Sequence, residues 1–326
     1  MIKKPLLAGL LVAASLLGFG GPALAAPTVS LGISSWIGYG PIFIAKHKGF
    51  FAKEGVNVDL HRIEEVANRR SALAAGAIQG FPTTPDTQVS TAAAGVPVAQ
   101  VMALDESYGA DGIVAKKSIK TIKDLKGKTV GLETGGGASF FWFLYLLNKH
   151  HMTLSDIQVK NMSAGAAGAA FAANKLDAAV TWQPWLTTAE NTSFGHVLIS
   201  SKATPGVITD TLGFRQDFVE AHPKQVQAIV NGVFDAMKYM HTHHKQAFAI
   251  MAKAMNQTPK QFTKAAKGVR WYGIKKNRAY FGTDQNPGPL YDLCRMAANL
   301  FKTAGVIEHK PDIGKLIDPR FVHAAK

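Results

Sequence analysis

The stretch SLGISSWIGYGPIFIAKHKGFF, residues 30–51, decides how this chain is read. Val29, Leu31 and Ile33 form an alternating apolar run that reads as a strand. Ser34, Ser35, Trp36, Gly38, Tyr39 and Gly40 make a loop, and Pro41 opens a helix carrying Ile42, Ile44 and Ala45. Proline suits a first helical turn because the N–H it lacks has no partner there in any case. The loop therefore lies at the carboxyl end of a strand and the amino end of a helix, where open α/β sheets hold ligands. Trp36 and Tyr39 offer flat apolar faces with a polar tip, and the glycines permit close backbone approach. The plain alternative is that Trp36 packs beneath the sheet.

Working outward, residues 1–25 read as an export signal. Lys3 and Lys4 form a basic start, residues 6–19 an apolar run, and Ala23-Leu24-Ala25 a small-residue processing site, so cleavage is expected after Ala25. The apolar run is too short for a comfortable membrane span, and no later run reaches the roughly 18 apolar residues that one needs. No cysteine stands at the processing site, which argues against a lipid anchor. The only cysteine is Cys294, so no intrachain disulfide forms, and a lone cysteine reads as a small core residue. The net charge of +14 invites a nucleic-acid reading. The lysines are scattered over many segments, however, and export separates the chain from nucleic acid. The charge is read as a solvation property.

After the opening loop, the pattern over residues 55–104 alternates strand, helix, strand, helix, strand, the signature of a mainly parallel sheet with helices on both faces. Asp86 is expected to cap the helix that follows Pro85. Residues 107–116 then run on as an extended crossing, and a second set of α/β units occupies residues 129–201. Residues 207–215, VITDTLGFR, are extended again and make the natural partner of the first crossing. The expected fold is α/β and two-lobed. Each lobe holds a mostly parallel sheet flanked by helices, and two strands join them as a hinge. The expected boundaries are a signal peptide over 1–25, lobe 1 over 26–108, lobe 2 over 109–213, and a helical return to lobe 1 over 214–326.

At these loops the sequence resembles the substrate-binding proteins of ABC importers, in the nitrate, sulfonate and taurine group that also includes pyrimidine-precursor binders. The matching stretches are WIGYGPIFIAKHKGFFAKEGVNVDL (36–60), SALAAGAIQGFPTTPDT (71–87), KTIKDLKGKTVGLETGG (120–136) and KLDAAVTWQPWL (175–186). Their order and spacing carry the likeness, which spans nearly the whole chain after the signal. The resemblance implies a type II periplasmic binding protein fold with a closing hinge. It also implies a periplasmic location, a monomer, no cofactor, and delivery of a small molecule to a permease in the inner membrane. It does not name the ligand.

Each strand end supplies candidate ligand-binding residues: Trp36 and Tyr39; Thr84 and Asp86; Asp111 at the crossing; Thr134, Ser139, Phe140, Trp182 and Trp185 in the second lobe; Asp210 at the return crossing. Thr83, Ser107, Tyr108, Gly137 and Thr211 lie beside them. Singly, each has a structural reading as a helix cap, hinge hydrogen-bonder or packing residue. The Gly135–Gly137 turn before a helix offers backbone N–H groups to a carboxylate or carbonyl oxygen. It lacks the lysine of a phosphate-binding loop. The loops hold Asp86, Asp105, Glu106, Asp111, Glu133 and Asp210 but almost no Lys or Arg. Arg69, Arg70 and Arg215 are the nearest, none at the centre of a loop. A sulfonate or nitrate site calls for an arginine clamp. Acids with Trp and Tyr suit an amine, amidine, guanidinium or aminopyrimidine. The alternatives are a sulfonate, taurine or nitrate binder, or an enzyme of the related pyrimidine-synthesis type. No nucleophile–base pair stands at the strand ends to support the last. His241, His243 and His244 have no acid or cysteine to complete a metal site and read as a solvated face.

Overall fold

The computed structural model describes residue 1 and residues 26–283 and 285–326. The expected signal peptide, from residue 2 to residue 25, lies outside the described residues. Eleven strands follow in order: β1 (Thr28–Ile33), β2 (Asn57–Arg62), β3 (Gly80–Thr83), β4 (Val98–Ser107), β5 (Asp111–Lys116), β6 (Thr129–Leu132), β7 (Gln158–Asn161), β8 (Ala178–Trp182), β9 (Gly195–Ser200), β10 (Thr209–Arg215) and β11 (Val269–Trp271). They form one six-stranded sheet, ordered β11-β4-β10-β3-β1-β2, and one five-stranded sheet, ordered β7-β6-β8-β5-β9.

The chain passes between the sheets twice, over residues 108–110 and over residues 201–208. Most strands of each sheet run one way and end where the two sheets approach each other. Besides the short edge strand β11, which is antiparallel to β4, the two exceptions have a simple cause. β4 leaves the first sheet and enters the second as β5, so β5 starts at the cleft and runs away from it, antiparallel to β8 and β9. β10 does the same on the way back, antiparallel to β3 and β4. The crossing strands thus place their first residues, and the other strands their last residues, on one cleft. The return differs from the expected boundary at residue 213. β10 is already paired in the first sheet from its first residue, with Thr209 opposite Glu106 and Asp210 opposite Asp105. An apolar and threonine-rich run reads the same whether it spans open space or pairs with neighbours, so the pattern alone did not separate the two.

The core follows from side-chain alternation. Along β5, Ile113 and Ala115 join the main core while Val114 joins a smaller cluster with Ala167, Phe171, Leu176 and Leu186. All ten residues of β4 are buried, including Gln100, Asp105, Glu106 and Ser107. The helix Ala138–Lys149 is apolar nearly all round, and Phe140, Phe141, Trp142 and Phe143 are all buried. Such a helix must be covered on several sides. The helix Pro289–Thr303 supplies one cover, its Phe301 ring lying 6.0 Å from both Phe140 and Phe141. Among the elements that escaped the sequence reading are β11, whose three residues are too few to show a period, and the polar helix Ile274–Phe281. The tail lies on the first sheet as expected, with the Asp318 N–H donating to Gln100 O at 2.9 Å. Phe301 is fully buried and touches both aromatic rings, so Phe301→Ala should cost about 3–5 kcal/mol. Urea unfolding should show that loss as a lowered midpoint at unchanged slope.

Candidate functional site

The strand ends converge on a chamber of ≈ 50 Å³ between the two sheets. Ser34 and Trp36 reach it from the loop after β1, Thr83 and Thr84 from the end of β3, and Asp210 from the start of β10. Asp111 comes from the start of β5, Glu133 from the end of β6, Trp182 from the end of β8, and Gly137, Ala138 and Ser139 from the amino end of the helix Ala138–Lys149. The chamber lies where the β-loop-helix reading of residues 30–51 expected a ligand.

Two donor–carboxyl pairs hold the opening loop. Trp36 Nε1 donates to Asp105 Oδ1 at 3.1 Å, and the Tyr39 hydroxyl donates to Asp210 Oδ1 at 2.7 Å. All four side chains are buried. Trp36 therefore both packs against the sheet and faces the chamber, where its ring meets that of Trp182 edge to face at 5.8 Å. Gly38 makes this docking possible, since a Cβ there would overlap Asp105 Oδ2 and Trp36 Nε1.

The electrostatics are dominated by buried carboxyl groups. Glu64, Asp111, Glu133 and Asp210 line the chamber, with Asp105 directly behind Trp36. Burial disfavours the charged form of Asp105, Asp111, Glu133 and Asp210, whereas Glu64 is exposed. It pushes Asp111 up to about 7, and Asp111 Oδ2 has no hydrogen-bond partner. Asp105 and Asp210 are both raised, first by burial; each also feels neighbouring carboxylates. The Tyr39 hydroxyl is raised too, by burial and then by Asp210. Glu133 is raised by burial and accepts from the Val66 N–H at 3.4 Å. Ser139 Oγ is buried and unpartnered.

Several expected residues take other roles. Asp86 does not line the chamber and is not the helix cap: the helix Pro85–Ala93 starts after Thr84, and Asp86 sits in its first turn. Burial raises Asp86 to about 6. The helix begins at Pro85, two residues too early for Asp86 to cap it. Thr134 is half-buried outside the chamber wall, its backbone N–H donating to Asn161 Oδ1 at 3.0 Å. Phe140 faces Phe301 instead, because its helix turns that side toward the core. Glu106 is spent on Lys276 Nζ at 2.9 Å, the Tyr272 hydroxyl at 3.2 Å and the Gly206 N–H at 3.1 Å. Ser107 bonds Ser201 Oγ at 2.8 Å and so ties one crossing to the other. Thr211 Oγ1 donates to Gln100 Oε1 at 2.7 Å.

Of the three arginines named as nearest, one reaches the site. Arg69 is buried in the chamber wall, brought there by the first turn of the helix Val66–Ala74. Its Nη1 donates to Ile63 O and Glu64 O at 2.6 and 2.8 Å, and its Nε has no partner. Arg70 Nη2 donates across the cleft to Gly135 O at 2.6 Å. Arg215 pairs with Asp217 at the far end of β10. Ser34, Glu64, Val66, Ala138 and Ile208 complete the wall and were missed. The signal available for Ser34 and Glu64 was their place one or two residues past a strand. The histidines stack on aromatics, His243 on Tyr239 and His244 on Phe248. Among the described residues no group of His, Cys, Asp and Glu is arranged to hold a metal.

A second compartment of ≈ 830 Å³ lies outside the chamber and shares Glu64, Glu133 and Trp182 with it. Trp185, expected at the ligand, stands here and not in the inner chamber.

Two α/β sheets joined by two crossings, with the chamber at the crossings, define a protein of the periplasmic binding protein fold. The fold of the aliphatic sulphonate binding protein SsuA from Escherichia coli superimposes at TM-score 0.73, with 18% identity over 91% of this chain and 99% of that one. The chain belongs to the NMT1-like family, whose model matches residues 23–256. A Brucella abortus protein named as a candidate binding protein is 25% identical over 217 residues, 64% of this chain and 66% of that protein. The taurine-binding periplasmic protein of Escherichia coli K12 is 26% identical over 202 residues, 61% of this chain and 62% of that protein. This chain thus spans just under two thirds of the length of these two sequence relatives. Among the described residues no helix is long and apolar enough to cross a membrane.

A carboxyl group held neutral near pH 7 carries a stability signature. Below about pH 4 Asp111 is protonated in both folded and unfolded chains. Between about pH 4 and 7 the unfolded chain loses the proton and the folded chain keeps it, so stability falls by up to about 1.4 kcal/mol per pH unit. Asp111→Asn should therefore leave Tm unchanged near pH 4 and raise it at pH 8 by about 10 °C. Thermal unfolding at the two pH values checks this, and a gap that does not grow with pH excludes a neutral buried Asp111.

Proposed function

We propose that this chain is the extracytoplasmic solute-binding component of an ABC importer. It acts as a monomer in the periplasm, without cofactor or nucleic acid, and holds a small N–H-rich or cationic solute between its lobes for a membrane permease. The observation that carries the reading is the charge of the chamber. Four carboxyl side chains line it against one arginine, and that arginine has spent Nη1 on two backbone carbonyls. A buried carboxylate without a partner is costly. An amine, amidine, guanidinium or aminopyrimidine would supply the missing partner, and the Trp36 and Trp182 rings would add cation–π attraction of about 0.5–2 kcal/mol each.

Closure follows from the same contacts. Arg70 to Gly135, Val66 to Glu133, and Trp36 against Trp182 span the cleft over the chamber. A solute touching both walls biases the hinge toward that arrangement by its difference in affinity for the two states. The permease would read the closed shape. Binding relatives favour a transport role over catalysis.

A second reading, a sulfonate or other anion, is favoured by the unpartnered Arg69 Nε, by the helix amino end at Gly137–Ser139, and by the taurine named for one relative. A thermal-shift panel separates the two: guanidinium, amidines, small amines and aminopyrimidines against taurine, alkanesulfonates and nitrate. At about a thousand times Kd a true ligand stabilises by about 4 kcal/mol, roughly 10 °C. The nitrogenous set should respond and the anions should not; the reverse pattern overturns the cationic reading. The cation also needs Asp111 ionised. Affinity should weaken by about tenfold per pH unit below 7 for each proton that binding displaces, which calorimetry in buffers of different ionisation enthalpy detects.

A further inference from the structure

The inner chamber is small for a whole solute. At ≈ 50 Å³ it holds a polar head group or a few waters, since one water needs about 10–15 Å³ of such space. The outer compartment, at ≈ 830 Å³, is in the range of about 300–1,000 Å³ that small-molecule sites occupy. The two share Glu64, Glu133 and Trp182 as common walls, so a molecule seated in the inner chamber has the outer one as its continuation.

The outer compartment is built around a presented indole. Trp185 is 37% exposed, one of few large apolar side chains at the surface among the described residues. Its position is set from behind by two glycines of the helix Ala164–Ala172. A Cβ on Gly165 would come to 3.1 Å from Trp185 Cε2, and a Cβ on Gly168 to 3.0 Å from Trp185 Cβ. The glycines let the side chain seat closely on the helix, leaving part of it open to the compartment. Gln257, brought from the other side of the cleft, also lines this space, and its Oε1 is buried with no hydrogen-bond partner. An open aromatic surface beside a buried acceptor left without a donor is the complement of a flat ring bearing a donor.

We infer that the solute has two parts, an N–H-rich head in the inner chamber and a flat aromatic portion lying against Trp185 in the outer compartment. This rests on the cationic reading of the chamber and adds the class of molecule that fills both spaces. The head is gripped by Asp111 and Asp210; the ring bridges the lobes between Trp185 and the loop carrying Gln257.

The test compares two probes with one head: acetamidine, which is head alone, and benzamidine, which adds a ring. Calorimetry on the full mature chain at pH 8 should show benzamidine binding at least tenfold more tightly. Trp185→Ala should cut that advantage below threefold while leaving the acetamidine affinity within twofold of the parent, which also shows that the variant is folded. Gln257→Ala should leave both probes unchanged, since acetamidine has no ring and the ring of benzamidine carries no donor, whereas 4-aminobenzamidine should lose its extra affinity in that variant. Acetamidine binding with no gain from the ring, or a gain that survives Trp185→Ala, overturns the two-part solute and leaves the chamber reading intact. Binding of neither probe overturns both.

Discussion

The structure depends on two hydrogen bonds made by one loop. Trp36 gives its indole N–H to Asp105 and Tyr39 gives its hydroxyl to Asp210, deep in the first sheet. Asp105 lies near the end of β4 and Asp210 near the start of β10, opposite one another in register. The loop is thereby fixed to the two strands that pass between the sheets. Burying two carboxyl groups side by side is expensive, and each donor offsets part of that cost while determining where an aromatic ring sits. The Gly38 backbone has to run close against the same pair, so the loop must be both aromatic and bare of a side chain at that point.

The topology gathers the remaining groups. A parallel sheet alone brings only carboxyl ends of strands to a cleft. Here each sheet also holds a crossing strand that runs backwards, so Asp111 and Asp210 arrive from strand beginnings to meet Thr83, Glu133 and Trp182 from strand ends. The serines of the two crossings are hydrogen-bonded to each other at 2.8 Å, which couples the passages instead of leaving them independent. The small tertiary distances at the crossings thus control the chamber's shape.

Charge is distributed on two scales. The whole chain carries +14, yet the chamber is lined mostly by acids. The lysines that set the total are spread over the surface, where salt screens them and each pair contributes little. The few acids that matter are those removed from water, where burial alone lifts Asp111 to about 7. Bulk composition therefore describes solvation, and the site is described by the handful of charges that the fold desolvates. Arg69 shows the same lesson in reverse. On sequence it is one of two adjacent arginines in an alanine-rich helix, and only the packing of that helix turns one inward and the other across the cleft.

By itself the sequence determined the alternation of strands and helices, the two extended passages, the aromatic loop after the first strand, and the presence of acids at strand ends. These are local properties, carried by periodicity, proline and glycine placement and residue type. The candidates Trp36, Tyr39, Thr84, Asp111, Ser139, Trp182 and Asp210 were legible because they follow or begin an apolar strand. Only the tertiary structure decided that Thr134, Asp86 and Phe140 stand aside, that β10 rejoins the first sheet at Thr209, and that Ser34, Glu64 and Arg69 line the chamber. A residue's distance past a strand brings it near the cleft, but which way its side chain turns depends on the helix and strand packed against it. That choice is made by contacts between residues far apart in the chain, such as Tyr39 with Asp210, and no local pattern contains them.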